Sequence, residues 1–301
     1  MTKLRNNSET LRKKQYAKYI SRVTAKSLIY YNPTSPLIKA YGNTAYGCCE
    51  NLIVSSSNRL VTTYCKNRWC NSCNRIKTAK AINNYYPQLS QLTDSVFVTL
   101  TLPTCTAEYL PKRIEEMEKM WRLIYQYTKK SAYKKEYEPL QGVRKAECTI
   151  RPNHLYHYHF HLILRNKKQG EWLIKEWLKR FPEASIKSQN IRPTDKGSFI
   201  ELFKYAFKCE VKASNTNAVR YDAVFRALRN KRTYQAFGGI KQCKEDFDEK
   251  ELVNGLELEG QADEIYKWCV DDWFRLSDGL ALVNKEIPDR IKEMVKTKSH
   301  N

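Results

Sequence analysis

The chain has 301 residues, and its 53 Lys and Arg outnumber its 32 Asp and Glu, for a formal net charge of +21 at pH 7. This length suits one large or two small domains, and the charge indicates a polyanionic partner such as nucleic acid. No apolar run reaches the ~18 residues of a membrane span. The charged residues 1–14 lead us to expect no signal peptide. We therefore expect a cytoplasmic protein whose ten cysteines are thiols or metal ligands, not disulfides.

Charge is unevenly distributed along the chain. Residues 1–80 carry 15 basic against 2 acidic side chains, whereas residues 245–278 carry 12 acidic against 3 basic ones. Residues 1–30 are predicted to form a basic helix that either lies along DNA or packs on the domain that follows. We divide the ends of the chain into a basic N-terminal helical segment, 1–44, and an acidic helical C-terminal extension, 244–301.

A cysteine cluster follows the N-terminal segment and predicts a zinc-binding module over residues 45–80. Cys65, Cys70 and Cys73 form a C-x4-C-x2-C pattern, and the upstream pair Cys48-Cys49 supplies a fourth thiolate. Thiolates at short spacings around a tight turn suit a tetrahedral, structural zinc ion. The sequence does not choose between Cys48 and Cys49. The module is expected to face DNA with four cations, Arg68, Arg75, Lys77 and Lys80.

Residues 81–243 alternate between predicted strands and helices. Strands are expected at 96–103, 143–150, 155–164 and 186–192, and helices at 111–130, 171–181 and 197–212. Because tight hairpin signals are few, we expect an α+β domain with helices packed on one face of a sheet.

Four of the five histidines of the chain lie in the stretch Asn153–Leu164. His157, His159 and His161 alternate with apolar residues, so their imidazoles share one face of the strand. Neutral imidazoles grouped in this way are a half-site for a divalent metal. The alternative is a histidine-rich strand whose rings make ordinary hydrogen bonds, which strict alternation disfavours. His154 is expected to lie outside the site.

The helix predicted at 197–212 carries a polar stripe. At roughly 100° per residue, Glu201, Tyr205 and Lys208 lie on one side. The opposite side is apolar and contains Phe199, Ile200, Phe203, Ala206, Phe207 and Val211. A phenolate at Tyr205 is a nucleophile toward phosphorus, and Lys208 favours that charged form. Glu201 can act as a general base on water or a 3′-hydroxyl. The alternative is a solvated polar helix face.

Together these segments resemble the HUH endonucleases, and more closely the rolling-circle plasmid replication initiators that use a single catalytic tyrosine. Val96 to Pro103 resembles the first motif of that family, and His159-Phe160-His161 matches its His-hydrophobe-His pair. Glu201 to Lys208 matches its E-x-x-K-Y-x-x-K pattern. The cysteine block Cys65–Cys73 is similar to one that precedes the nuclease domain in this group.

The resemblance implies an HUH nuclease domain over residues 81–243, with a central antiparallel sheet, flanking helices and a ferredoxin/RRM-like palm. It implies that Tyr205 nicks one strand, remains bound to the 5′-phosphate and frees a 3′-hydroxyl as primer, while Glu201 activates water at termination. Mg²⁺ or Mn²⁺ would be bound by His159 and His161. Glu147 is the candidate third ligand, and His157 either binds the ion directly or supports a residue that does.

The resemblance also implies partners: single-stranded or cruciform origin DNA, a host helicase and polymerase, and a second copy in a homodimer. Two alternatives remain. A single-tyrosine transposase or relaxase shares the chemistry, but such transposases lack the cysteine block and relaxases place the tyrosine upstream of the histidines. A non-enzymatic zinc-knuckle DNA-binding regulator would leave the histidine strand and residues 201–208 unexplained.

Overall fold

The computed structural model describes residues 7–54, 60–203, 215–242, 250–251 and 264–295. The helices are α1 Asn7–Tyr31, α2 Ile38–Gly42, α3 Asn71–Leu89, α4 Leu110–Tyr127, α5 Ser131–Lys134, α6 Lys167–Arg180, α7 Lys196–Phe203, α8 Asn215–Ala227 and α9 Asp289–Val295. The strands are β1 Asn51–Val54, β2 Leu60–Thr62, β3 Val96–Thr101, β4 Gly142–Ile150, β5 Tyr156–Leu164, β6 Asn190–Pro193, β7 Tyr234–Phe237, β8 Lys250–Glu251, β9 Glu264–Cys269 and β10 Asp272–Arg275. Both sheets are antiparallel and flanked by helices, which confirms the α+β class.

The described residues belong to two compact units. The first contains the described parts of Met1–Ile76, Cys209–Asp222 and Asp246–Asn301, and the second those of Lys77–Lys208 and Ala223–Glu245. Among the described helices, none combines the length and apolar composition that a membrane crossing requires.

The first unit is built on the sheet β10-β9-β1-β2-β8. Its core joins α1, the cysteine region and the C-terminal strands through the buried residues Leu11, Cys48, Cys49, Leu52, Val54, Leu60, Cys70, Cys73, Tyr266, Trp268 and Trp273. The fully buried Lys18 of α1 donates a hydrogen bond to Glu50 at 2.9 Å. Helix α1 therefore packs on the domain that follows it, as one of our two interpretations expected.

The prediction of a helical C-terminal extension is wrong for the residues described between 264 and 275. These form β9 and β10, and β9 pairs with β1, with Tyr266 opposite Leu52. Tyr266 and Trp268 are buried while their neighbours in β9 are partly or fully exposed. That two-residue period is typical of a half-buried strand, and the acidic composition of the segment concealed it.

The second unit contains the sheet β6-β3-β5-β4-β7, with β5 at its centre. On one face, Phe160 packs edge-on against Trp121 of α4 and Trp177 of α6. On the other, α3 and α7 contribute Tyr85, Leu202 and Phe203 to a core cluster. Our expectation of helices on one face is therefore wrong. The uninterrupted apolar run at the end of β5 is typical of a strand covered on both sides.

The connection between β4 and β5 sets the register of the histidine strand. It is a single 3-10 turn, Pro152–His154, in which Asn153 and His154 have φ values of 60° and 61°. Arg151 N–H donates to the Leu155 carbonyl at 2.8 Å and closes the turn. His154 thus lies in the turn, apart from the histidine face, as predicted. The resulting register places Glu147 of β4 directly opposite His159 of β5.

Candidate metal centre

Two histidines and one glutamate converge on the face of the sheet that α7 covers. The Nε2 atoms of His159 and His161 are 3.1 Å apart, and Glu147 Oε2 lies 4.0 Å from His161 Nε2. One donor atom from each of the three residues lies within 4.8 Å of the others. Both imidazoles are buried. Two features of the sheet create this cluster. Glu147 of β4 pairs with His159 of β5, and His161 lies two residues further along β5 on the same face.

The outer nitrogens of both rings are held by the protein. His159 Nδ1 donates to the His157 carbonyl at 3.1 Å, and His161 Nδ1 lies 3.2 Å from Thr99 Oγ1. With the proton on Nδ1, each Nε2 lone pair points into the cluster, an arrangement found around metal-binding histidines. Burial lowers the pKa of His159 to about 4 and that of His161 to about 3. Both rings are therefore neutral at pH 7 and able to bind a cation.

The spacing of the donors fits one divalent ion. Two ligands at ~2.1 Å from an octahedral ion and at a right angle are about 3.0 Å apart, close to the observed 3.1 Å between the two Nε2 atoms. Two imidazoles and one carboxylate form a donor set used by divalent cations in proteins. His159, His161 and Glu147 can therefore hold such an ion.

His157 lies beside the cluster and not in it. Its ring stacks on His159 at 4.9 Å, but Nε2 is hydrogen-bonded to Thr101 Oγ1 and Nδ1 accepts from Arg151 Nη2 at 3.4 Å. Both ring nitrogens therefore have hydrogen-bond partners outside the group of converging donors. The structure thus places His157 outside the group of converging donors, and its role stays a prediction.

Helix α7 brings Glu201 to the cluster. Asp195 caps the helix by accepting the Ser198 N–H at 2.7 Å, and hydrogen bonds from Ser198 lower the pKa of Asp195 to about 2. Glu201 Oε1 lies 3.8 Å from His161 Nε2, and Arg192 Nη2 donates to Glu201 Oε2 at 3.2 Å. The carboxylate is thus held at the edge of the cluster with part of its surface in solvent.

The predicted stripe of this helix is described only as far as Phe203. Leu202 and Phe203 are buried, but Ile200 is 66% exposed, so the assignment of Ile200 to the apolar side is wrong. Tyr205 and Lys208 lie outside the described residues. Their roles stay predictions.

A second cluster lies in the first unit, where four cysteine sulfurs converge. Cys48 Sγ is 3.5 Å from Cys70 Sγ and 3.6 Å from Cys73 Sγ, and Cys65 Sγ is 3.6 Å from Cys73 Sγ. Sulfurs at ~2.3 Å from a tetrahedral ion are about 3.8 Å apart, so the spacing fits one metal. Hydrogen bonds from Cys48, Cys70 and Cys73 lower the pKa of Cys65, whereas hydrogen bonds with the neighbouring cysteines raise the pKa of Cys48.

The two adjacent cysteines differ in their relation to this group. Cys48 belongs to the converging group of four, and Cys49 does not. Cys49 has a left-handed φ of 52°, and its carbonyl accepts a hydrogen bond from Trp273 Nε1 at 2.9 Å. The local backbone therefore directs the two neighbouring side chains differently, and Cys49 leaves our candidate zinc ligands.

The four basic residues that the sequence assigned to DNA binding lie close to Cys70 and Cys73 in the chain. Arg68 precedes α3, whereas Arg75, Lys77 and Lys80 lie on it, and all four side chains are half-buried. Their contact with DNA stays a prediction.

Comparison with known proteins shows which family the chain belongs to. The profile of the family described as "Replication protein" matches residues 58–272, well over half of the chain. The chain belongs to the replication protein family. "Protein rep" of Lentilactobacillus hilgardii is 25% identical over 252 residues, which covers 70% of this chain and 76% of that protein. No solved structure matches the chain. The resemblance to plasmid replication initiators is thereby confirmed.

Sequence reasoning missed several residues that support the cluster of this replication protein. Lys145 donates to Glu147 Oε2 at 2.9 Å, Arg192 holds Glu201, and Thr99 and Thr101 bond to histidine rings. A signal for Lys145 was present, because it lies two residues before Glu147 and shares its face of β4. Arg192 and the threonines become partners only through strand pairing, which no local pattern shows.

Proposed function

We propose that this replication protein initiates rolling-circle replication of a plasmid by nicking one strand of its origin. The observation that carries the proposal is the convergence of His159, His161 and Glu147 within a member of the replication protein family. The reaction is a phosphodiester transesterification of the HUH endonuclease type. Plasmid DNA is copied in the bacterial cytoplasm, which is where the protein would act.

In the proposed nicking step, the Tyr205 phenolate attacks the scissile phosphorus. The new bond joins the phenolic oxygen to phosphorus, the bond to the 3′ oxygen breaks, and that oxygen leaves as a 3′-hydroxyl after taking a proton. Lys208 stabilises the phenolate. Mg²⁺ or Mn²⁺ bound by His159, His161 and Glu147 would polarise the phosphate and neutralise developing charge. The DNA remains linked to the tyrosine through its 5′-phosphate.

Glu201 has a later role in this proposal. Its carboxylate is placed at the edge of the metal cluster by Arg192, where it can remove a proton from water or from a second 3′-hydroxyl. The activated oxygen then attacks the phosphotyrosine and releases Tyr205. The first attack comes from the Tyr205 phenolate, which Lys208 stabilises, so this proposal assigns Glu201 to termination.

We expect Glu201→Ala to nick at a normal rate but to release the covalent complex about 10²- to 10⁴-fold more slowly, because a general base contributes that much. Release is measured by the decay of a purified adduct in single-turnover conditions. Glu171→Ala is the matched control, since it makes the same substitution at an exposed glutamate of α6 that pairs with Lys167. Normal release by Glu201→Ala contradicts the role.

The cysteine cluster is proposed to hold a structural Zn²⁺ through Cys48, Cys65, Cys70 and Cys73. Four protein ligands leave no open position for catalysis, so such an ion stabilises the fold. Together with Arg68, Arg75, Lys77 and Lys80, the module would contact origin DNA, single-stranded or in a cruciform. A host helicase, a host polymerase and a second copy of the chain are the remaining proposed partners.

We expect Cys70→Ser to lower the zinc content from about one ion per chain to nearly none and to lower the unfolding temperature, because a serine hydroxyl is a poor zinc ligand. Elemental analysis and thermal unfolding measure the two effects. Cys49→Ser is the matched control: it changes an equally buried cysteine outside the group of four and should keep its zinc. Full zinc occupancy in Cys70→Ser would remove Cys70 from the site.

The proposed function is tested by incubating the protein and Mn²⁺ with oligonucleotides that tile its replicon. A covalent protein–DNA band on a denaturing gel is expected for the oligonucleotide that contains the nick site. Binding without any adduct would contradict nicking and favour the zinc-knuckle regulator. Transfer of the DNA into unrelated target sequences would instead favour a transposase.

A further inference from the structure

A lysine is fully buried beside the two histidines and Glu147, and the proposed nicking reaction gives it no step. Lys145 of β4 has a relative exposure of 0%. Its ammonium donates to Glu147 Oε2 at 2.9 Å and to the backbone carbonyl of Glu201 at 3.3 Å. Burying a cation costs free energy unless it has good partners. These two contacts supply such partners and indicate that the ammonium has a specific role here.

The two contacts connect different parts of the site. Glu147 Oε2, which accepts from Lys145, is the same oxygen that lies 4.0 Å from His161 Nε2. The Glu201 carbonyl belongs to the last described turn of α7, four residues before Tyr205. A single side chain therefore joins the carboxylate of Glu147 to helix α7, whose last residue, Phe203, precedes Tyr205 by two positions in the sequence.

We propose that Lys145 is a positioning residue with two effects on the nicking reaction. Its charge offsets part of the negative charge of Glu147, and its hydrogen bond fixes α7 relative to the histidines. This inference rests on the proposed function for its second effect, because fixing α7 matters to the reaction only if Tyr205 is the nucleophile. The first effect concerns cation binding alone and is independent of DNA.

The two effects predict changes of opposite sign. Without the ammonium, Glu147 presents its full charge and one like charge is removed from beside the cation, so Mn²⁺ should bind more tightly. Without the tether, α7 is less well placed, and displacements of ~1 Å can slow a reaction by about 10²-fold. A loss of packing alone would instead weaken cation binding and nicking together.

The neighbouring residue supplies a matched control. Arg144 is 1% exposed and donates to a glutamate, Glu118, at 2.9 Å, but it faces the opposite side of the sheet and packs over Phe160. The pair Arg144–Glu118 thus repeats the burial and the ion pair of Lys145–Glu147 without the metal ligand or α7. Removing either cation should cost stability, and removal of Lys145 alone should change the cation site.

The test compares Lys145→Met and Arg144→Met in the full chain. For Lys145→Met we expect the Kd for Mn²⁺, measured by titration without DNA, to fall about tenfold. The rate of adduct formation at saturating Mn²⁺ should fall about 10²-fold. Arg144→Met should leave both values within about twofold of wild type, although its unfolding temperature falls.

An unchanged or weaker Mn²⁺ affinity in folded Lys145→Met overturns the proposal, as does an equal shift in Arg144→Met. If Lys145→Met does not fold, Lys145→Gln removes the charge while keeping an N–H donor, and the same Mn²⁺ titration decides. A wild-type protein that binds Mn²⁺ but forms no adduct would refute the proposed function. The Mn²⁺ titration of Lys145→Met would still decide whether Lys145 offsets the charge of Glu147. A wild-type protein that binds no Mn²⁺ overturns both.

Discussion

Tyr205→Phe is expected to abolish the covalent protein–DNA adduct, lowering its rate of formation by at least about 10⁴-fold, as removal of a nucleophile does in other enzymes. Phenylalanine keeps the ring but lacks the oxygen that forms the bond to phosphorus, so packing changes little and the chemistry is lost. The measurement is the yield of adduct on a denaturing gel, with the nick position mapped on the same DNA. DNA affinity should stay near that of wild type.

Tyr86→Phe is the matched control for this prediction. It removes one hydroxyl from a tyrosine of α3 that is 45% exposed, and it should leave adduct formation unchanged. An adduct that persists in Tyr205→Phe would assign the nucleophile to another residue. If both variants and wild type bind DNA but none forms an adduct, the nicking mechanism itself is refuted.

The second large effect is expected for His159→Ala, which removes one of two converging imidazoles. We expect Mn²⁺ binding to become undetectable at micromolar concentrations and Mn²⁺-dependent nicking to fall about 10³-fold, because the cation contributes several kcal/mol to phosphate chemistry. Calorimetric titration without DNA and the initial rate of adduct formation measure the two losses. Zinc content should not change, since the cysteine group is a different set of ligands.

His157→Ala is the matched control, because it also removes a histidine from this strand face but not one of the proposed metal ligands. His157 shares the strand face of His159, but Thr101 and Arg151 occupy its ring nitrogens. We expect the His157→Ala variant to retain Mn²⁺ binding, with an affinity lowered by no more than about tenfold. That is the lower end of the effect seen when a residue that supports a metal ligand is removed. An equal loss of Mn²⁺ affinity in His157→Ala and His159→Ala would make His157 a ligand and contradict a site formed by His159, His161 and Glu147.

Several features of the site could be predicted because they depend on local geometry. Successive side chains of a strand alternate between two faces whatever the strand pairs with, so His159 and His161 had to share a side. The short spacing of Cys65, Cys70 and Cys73 likewise kept their three sulfurs close together. The same rule would have found Lys145 on the face of Glu147 and the strand character of Tyr266 and Trp268.

Other features depended on contacts between distant segments. The β4–β5 register places Glu147 opposite His159, and a shift of one residue would have turned it to the other face. The backbone around Cys49, with its left-handed φ, directs Cys48 to the sulfur cluster. Arg192 reaches Glu201 because β6 pairs with β3 at the edge of the sheet.

By itself, then, the sequence determined the α+β class, the histidine face, three of the four clustered cysteines and the polyanionic class of partner, since each follows from composition or short-range periodicity. Only the tertiary structure decided that Glu147 converges with His159 and His161, that His157 and Cys49 lie outside the two groups of converging donors, and that Lys145 joins β4 to α7. The physical reason is that convergence of donors is set by strand register and backbone direction, which arise from packing between segments far apart in the chain.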